Sequence, residues 1–169
     1  KRLLLENTKD NLKKLIMTFI NLYKCNNNDI DKLINLVKQS KYIKKDYYLT
    51  ILEIYLIYNN ELKSSGYVDF NDMILMATNK INNNEVKTKY KFIMIDEFQD
   101  TSLIRLNLIK AILNQNNGTI FAVGDDYQSI YRFSGCNLNV FIHLDKYIDN
   151  LKIIKLKYKK ESDVMEKKK

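Results

Sequence analysis

The stretch Phe92-Ile93-Met94-Ile95-Asp96-Glu97-Phe98-Gln99-Asp100-Thr101 decides the fold. Its four leading apolar residues form an unbroken run, the pattern of a strand buried on both faces of a parallel sheet. The acids and the amide that follow stand at the carboxyl end of that strand, where open parallel sheets hold their ligands. Downstream, a helix is expected over Leu103 to Leu113, turn residues over Asn114 to Gly118, and a second buried run over Thr119-Ile120-Phe121-Ala122-Val123. A second polar cluster follows directly, Gly124-Asp125-Asp126-Tyr127-Gln128-Ser129. A helix near Leu138 to Leu144 leads to a third apolar run, Leu151 to Leu156. Strand, helix, strand, helix, strand implies an α/β fold with a parallel sheet and crossover helices. If the first two strands are neighbours, both polar clusters open into one crevice.

Upstream, the pattern is helical. Leu3, Leu4, Leu12, Leu15, Ile16, Phe19, Ile20 and Tyr23 recur at three- and four-residue steps. Asn26-Asn27-Asn28-Asp29 breaks that helix, and Asp29 is placed to cap a short one from Ile30 to Gln39. A third helix is expected from about Asp46 to Leu62, ending towards Gly66. Asp69 then caps a fourth, Phe70 to about Asn79, with Asp72 in the place of a capping-box acid.

Composition bounds the rest. The 169 residues are 46% apolar, enough for one globular core, and no apolar run reaches the roughly 18–20 residues of a membrane span. No secretory leader is recognised, so Cys25 and Cys136, far apart and in no metal-binding spacing, are expected as reduced thiols in the cytoplasm. The single His143 excludes a multi-histidine metal site and reads as a surface or half-buried helix residue. The net charge of +8 is carried by lysine, with arginine confined to Arg2, Arg105 and Arg132. A dedicated phosphate-binding surface would use more arginine, whose planar fork suits phosphate, so the charge alone does not assign a nucleic-acid partner. A chain that starts inside a helical pattern and stops in Glu166-Lys167-Lys168-Lys169 is expected to be an excerpt of something longer.

Asp96 and Glu97 are what nucleotide hydrolysis needs at a strand end. One carboxylate holds the water shell of Mg²⁺ and its neighbour orients or deprotonates the attacking water. Two acids after an apolar strand also fit a helix N-terminus, and Asp100, Thr101 or Ser102 could cap the helix beginning at Leu103.

The whole hexapeptide Asp96 to Thr101 resembles motif II, the Walker B form, of superfamily-one DNA helicases of the UvrD/Rep type. Val123-Gly124-Asp125-Asp126-Tyr127-Gln128-Ser129-Ile130-Tyr131-Arg132-Phe133-Ser134-Gly135 resembles their motif III. Tyr67-Val68-Asp69-Phe70-Asn71-Asp72-Met73-Ile74 resembles the V-D-F-x-D-L segment that precedes motif II, and the ending Arg-Phe-Ser-Gly is most similar to the helicase IV branch. The resemblance implies a partial RecA-like motor domain over 67–169, preceded by a helical segment, 1–66, in the place of the helical insertion of the first motor domain. It implies ATP and Mg²⁺ as cofactors, and single-stranded DNA and duplex junctions as partners, with 3′–5′ translocation. Asp96 would bind Mg²⁺ through water and Glu97 would activate the hydrolytic water. Gln128 would sense the γ-phosphate, and Gln99 would join the nucleotide site. Tyr131, Arg132 and Phe133 would lie near single-stranded DNA, where a base stacked on a ring gains about 1–3 kcal/mol irrespective of sequence. Ordinary core packing remains the alternative for Tyr131 and Phe133.

The departures matter too. Phe133 stands where many relatives carry tryptophan, and Ser134 where many carry arginine. Leu156-Lys157-Tyr158-Lys159-Lys160-Glu161-Ser162 faintly resembles motif IV, with Lys159 in place of an arginine that reaches the γ-phosphate; a solvated basic tail explains it better. None of Gly66, Gly118, Gly124 and Gly135 is followed by lysine, so the chain contains no Gly-Lys-Ser/Thr loop to cradle phosphates, nor a second motor domain. Two functions compete: a segment of an ATP-dependent helicase, and a DNA- or partner-binding remnant without ATPase activity. A Mg²⁺-dependent nuclease built on Asp96, Glu97, Asp125 and Asp126 would leave the motif III resemblance unexplained.

Overall fold

The computed structural model describes residues 2–26, 30–39, 43–128 and 135–156. Helices α1 (Arg2–Cys25), α2 (Ile30–Gln39), α3 (Ile43–Ser64) and α4 (Phe70–Asn82) come first. They are followed by β1 (Phe92–Ile95), α5 (Leu103–Asn116), β2 (Thr119–Ala122) and the short α6 (Leu138–Ile142). Single 3₁₀ turns stand at Phe98–Asp100, Asp126–Gln128 and Leu144–Lys146. Among the described residues no helix is long and apolar enough to cross a membrane.

The four expected helices form close to their expected bounds. α4 starts where the capping signal puts it: the Asp69 carboxylate accepts the Asp72 N–H at 2.8 Å, and the Asp72 carboxylate accepts the Asp69 N–H in return. In the helical part, Phe19 stacks on Tyr23, and Tyr23 meets the buried Tyr55 edge-on at 5.1 Å. Leu52 adds a small cluster with Tyr48, Ile30 and Ile34, which joins α2 to α3.

β1 and β2 pair in parallel, with Phe92 opposite Thr119 and Ile95 opposite Ala122, so the two strands are neighbours as the crevice requires. Beneath one face lies a core of Phe98, Leu106, Val140 and Leu144, against which Ile95, Leu103, Ala122 and Phe141 pack. Fully burying a side chain such as Phe98 contributes about 1.5–3 kcal/mol.

Two expectations about the sheet are corrected. The strands are not buried on both faces: Ile93, Ile95, Ile120 and Ala122 are half-buried, whereas Phe92, Met94 and Phe121 are exposed. The physical reason is that α5, α6 and the Phe98 turn all supply their apolar atoms to one side. Nor is there a third strand among the described residues. Leu151 to Leu156 has no sheet partner, and Ile154 and Leu156 point into solvent. A continuous apolar run becomes a strand only where a neighbouring edge takes its backbone hydrogen bonds, and none among the described residues does.

Candidate functional site

The end of β1 is hydrogen-bonded to the residue that follows β2. The Ile95 carbonyl accepts the Val123 N–H at 2.9 Å, and the Phe98 N–H donates to the Val123 carbonyl at 2.9 Å. Between these bonds, Asp96 Oδ1 accepts the Glu97 N–H at 2.9 Å, and Glu97 takes a left-handed backbone (φ 50°, ψ 43°). That conformation costs a non-glycine residue about 1–2 kcal/mol. The turn sorts its side chains: Phe98 and Gln99 go into the core, while Asp96 and Glu97 face water. Neither carboxylate is in an ion pair among the described residues. They are not capping α5 either, whose N-cap is Ser102.

Gln99, 1% exposed, ties the two polar clusters together. Its Nε2 donates to the Glu97 carboxylate, and its Oε1 accepts the Asp125 N–H at 3.0 Å. Gly124 must be glycine for this approach, since a Cβ there would lie 2.5 Å from Gln99 Oε1 and 2.7 Å from the Phe141 ring. Asp125 in turn organises its own turn: Oδ1 accepts the Tyr127 N–H at 3.0 Å and Oδ2 accepts from Gln128 Nε2 at 2.9 Å. Gln128 is exposed beside Tyr127, which is 93% exposed.

This donor set fits Mg²⁺, which keeps most of its waters and takes one or two protein carboxylates together with substrate phosphates. Asp96 and Glu97 supply hard, solvent-facing oxygens at a strand end. Among the described residues there is no larger cluster of three or more His, Cys, Asp or Glu side chains that could cage a metal.

A second constellation was missed by reading the sequence. Lys24, 0% exposed, reaches Asp69 at 2.7 Å and both oxygens of Asp72 at 2.9 Å, and the Tyr58 hydroxyl donates to Asp69 at 3.0 Å. Burial opposes the Lys24 charge, yet its hydrogen bonds to Asp69 and Asp72 more than offset this and hold its pKa above the ordinary value. Burial likewise pushes the Asp69 carboxyl up, and the Lys24 ammonium brings it below the ordinary carboxylate value. The capping acids of the V-D-F-x-D segment thus bolt α4 to the end of α1. Nothing distinguishes Lys24 from the other lysines in the sequence; only the paired acids at Asp69 and Asp72 hint at a cation.

The same end of α1 meets the last residue of motif III and the residues after it. Asn137 Nδ2 donates to Asn26 Oδ1 at 2.9 Å, and Gly135 (φ 94°) sits so close that a Cβ would come within 2.6 Å of Cys25 Sγ. Burial raises the Cys25 thiol pKa, and Cys25 and Cys136 are in no disulfide among the described residues. Phe70, 85% exposed, borders an open pocket of about 380 Å³ lined by Met17, Asn21, Tyr58 and Asn71. It is a second residue that helical periodicity did not single out. Tyr131, Arg132, Phe133 and Lys159 lie outside the described residues.

The model of the UvrD/REP helicase N-terminal domain matches residues 1–149. The chain belongs to the UvrD/Rep helicase family. It is 39% identical over 105 residues to the ATP-dependent DNA helicase Rep of Buchnera aphidicola subsp. Baizongia pistaciae, covering 59% of this chain and 16% of that protein. To DNA helicase IV of Escherichia coli K12 it is 42% identical over 80 residues, 47% of this chain and 12% of that protein. To the Rep helicase of the same bacterium it is 33% identical over 107 residues, 60% of this chain and 16% of that protein. The chain therefore spans about a sixth or less of these UvrD/Rep relatives.

Proposed function

We propose that this chain is the part of an ATP-dependent DNA helicase that carries the acidic nucleotide-hydrolysis motif and its coupling loop. The observation that carries the reading is the junction of the two strand ends. Two exposed carboxylates, Asp96 and Glu97, with no ion pair among the described residues, stand on a loop that buried Gln99 locks to the loop of Gln128. In this reading 67–169 is part of a RecA-like motor domain and 1–66 is its helical insertion. Asp96 would hold Mg²⁺, which would supply charge neutralisation at the phosphates. Glu97 orients the hydrolytic water and accepts its proton, and Gln128 answers to the γ-phosphate. Lys159 adds charge to the same nucleotide. Tyr131, Arg132 and Phe133 contact single-stranded DNA, and the exposed ring of Phe70 offers a further stacking face. The motor moves 3′–5′ and opens duplex junctions.

Because the chain holds no Gly-Lys loop for the phosphates, residues 1–169 alone turn over no ATP in this reading. The test uses the full-length gene product. Glu97→Gln leaves Mg·ATP binding largely intact and slows hydrolysis by about 10²–10⁴-fold, while Asp96→Asn weakens the Mg²⁺ dependence itself. Phe133→Ala loses about 1–3 kcal/mol of single-stranded DNA affinity with little sequence preference. Normal unwinding by both acid variants, or DNA-stimulated turnover by residues 1–169 that Glu97→Gln abolishes, would overturn it.

A further inference from the structure

Four residues form one unbroken hydrogen-bonded line across the strand ends. Glu97 accepts from Gln99 Nε2, Gln99 Oε1 accepts from the Asp125 N–H at 3.0 Å, and Asp125 Oδ2 accepts from Gln128 Nε2 at 2.9 Å. The Gln99 amide cannot be turned round. A backbone N–H only donates, so the oxygen must face Asp125 and the nitrogen must face the carboxylate. The side chain is also held in place: it is 1% exposed, and Gly124 presses backbone against it where any Cβ would collide. Glu97 and Gln128, at the two ends, are both exposed, so this buried amide is their shared fixed point.

We propose that Gln99 is a positioning residue that aims the Glu97 carboxylate and links its orientation to that of Gln128. At 1% exposure, with its oxygen on the Asp125 N–H and its nitrogen on Glu97, it acts through these neighbours. The link works through geometry. A displacement of Gln128 drags the Asp125 turn, which pulls on Gln99 Oε1, and the rigid amide passes that movement to the Glu97 oxygen. The inference rests on the reading of Glu97 as the residue that activates water.

Two substitutions separate the two halves of the line. Gln99→Met fills much the same space and makes neither bond; Gln99→Glu can still accept the Asp125 N–H and, where it is ionised, no longer donates to Glu97. Amide hydrogen exchange of the 169-residue chain reads the first half: the Asp125 N–H exchanges about tenfold faster in Gln99→Met and stays protected in Gln99→Glu. Turnover by the full-length gene product reads the second. Both variants lower kcat by about tenfold or more, with KM for ATP within about threefold of the parent, because aim and not binding is lost. In a Glu97→Gln background neither costs anything further, since the group they aim is already gone. A general structural defect would add to Glu97→Gln and lower the melting temperature in step with turnover. Unchanged turnover in Gln99→Glu, or a further loss on top of Glu97→Gln, overturns the proposal. Glu97→Gln alone tests the underlying reading: if it hydrolyses ATP normally, Glu97 is not the water-activating residue, whereas the exchange arm still reports whether Gln99 holds the Asp125 turn.

Discussion

Asp69 and Asp72, at the head of α4, and Asp96 and Glu97, at the end of β1, are two acidic pairs with opposite electrostatic solutions. The first pair is closed. Lys24 inserts between its members, Tyr58 donates to one of them, and each carboxylate also takes a backbone N–H of the capping box. The second pair is open. Its members face water, accept one short-range hydrogen bond each and have no cation among the described residues. A carboxylate whose charge is already matched can only hold the fold together. One whose charge is unmatched at a strand end has both room and reason to take a metal–phosphate ligand. Identity of residue type therefore says little here; the presence or absence of a buried ammonium says which acids scaffold and which are free to act.

The sharpest way to break this comparison is to remove the ammonium. Lys24→Met leaves two partly buried carboxylates without their cation, and unfolding in urea should show a loss of about 3 kcal/mol, the lower end of what breaking a buried pair costs. A loss under about 1 kcal/mol would mean that the junction is no brace.

The closed pair should also write itself into the pH dependence of stability. Asp69 has a folded pKa below its ordinary 3.8, so its contribution is present above that value and lost as the pH falls through the folded pKa. Lys24 has a folded pKa above its ordinary 10.5, so its contribution is complete below that value and lost as the pH rises through the folded pKa. Urea midpoints should fall on both limbs, below about pH 4 and above about pH 10.5, and Lys24→Met should flatten both.

Between the extremes stands the seam that joins the open pair to its neighbour loop. Gly124→Ala forces a methyl against the Gln99 amide and the Phe141 ring, and should cost about 1–3 kcal/mol in the same assay. A neutral result would show that Gln99 gives way easily and is not clamped.

The smallest effect is expected at the open pair itself. Asp96→Asn and Glu97→Gln should move the melting temperature of the chain by no more than about 2 °C, because exposed, unpaired groups contribute little to folding. A larger destabilisation would make these acids structural and erase the contrast with Asp69 and Asp72.

Much of this could be read before any coordinates. The apolar run Phe92 to Ile95, the second run from Thr119 and the capping signal Asp69-x-x-Asp72 located β1, β2 and α4, because strand and cap signals act within a few residues of chain. The open acids were legible for the same reason: their place after a strand is a local fact. The third strand misled because an apolar run records hydrophobicity and not the partner edge that a strand needs, and Leu151 to Leu156 finds none among the described residues. The exposed side of the sheet misled likewise, since periodicity does not say how many layers cover a strand.

What the sequence by itself determined was the local grammar: where helices begin, where strands end, and which acids and amides follow them. Tertiary structure alone decided which charges meet. Lys24 and Asp69 are forty-five residues apart, Gln99 and Asp125 twenty-six, and Asn26 and Asn137 more than a hundred. No short-range pattern encodes such pairs. A buried ammonium or amide must find its partners wherever packing brings them, because leaving it unpaired in a low-dielectric interior costs more than any local preference can supply.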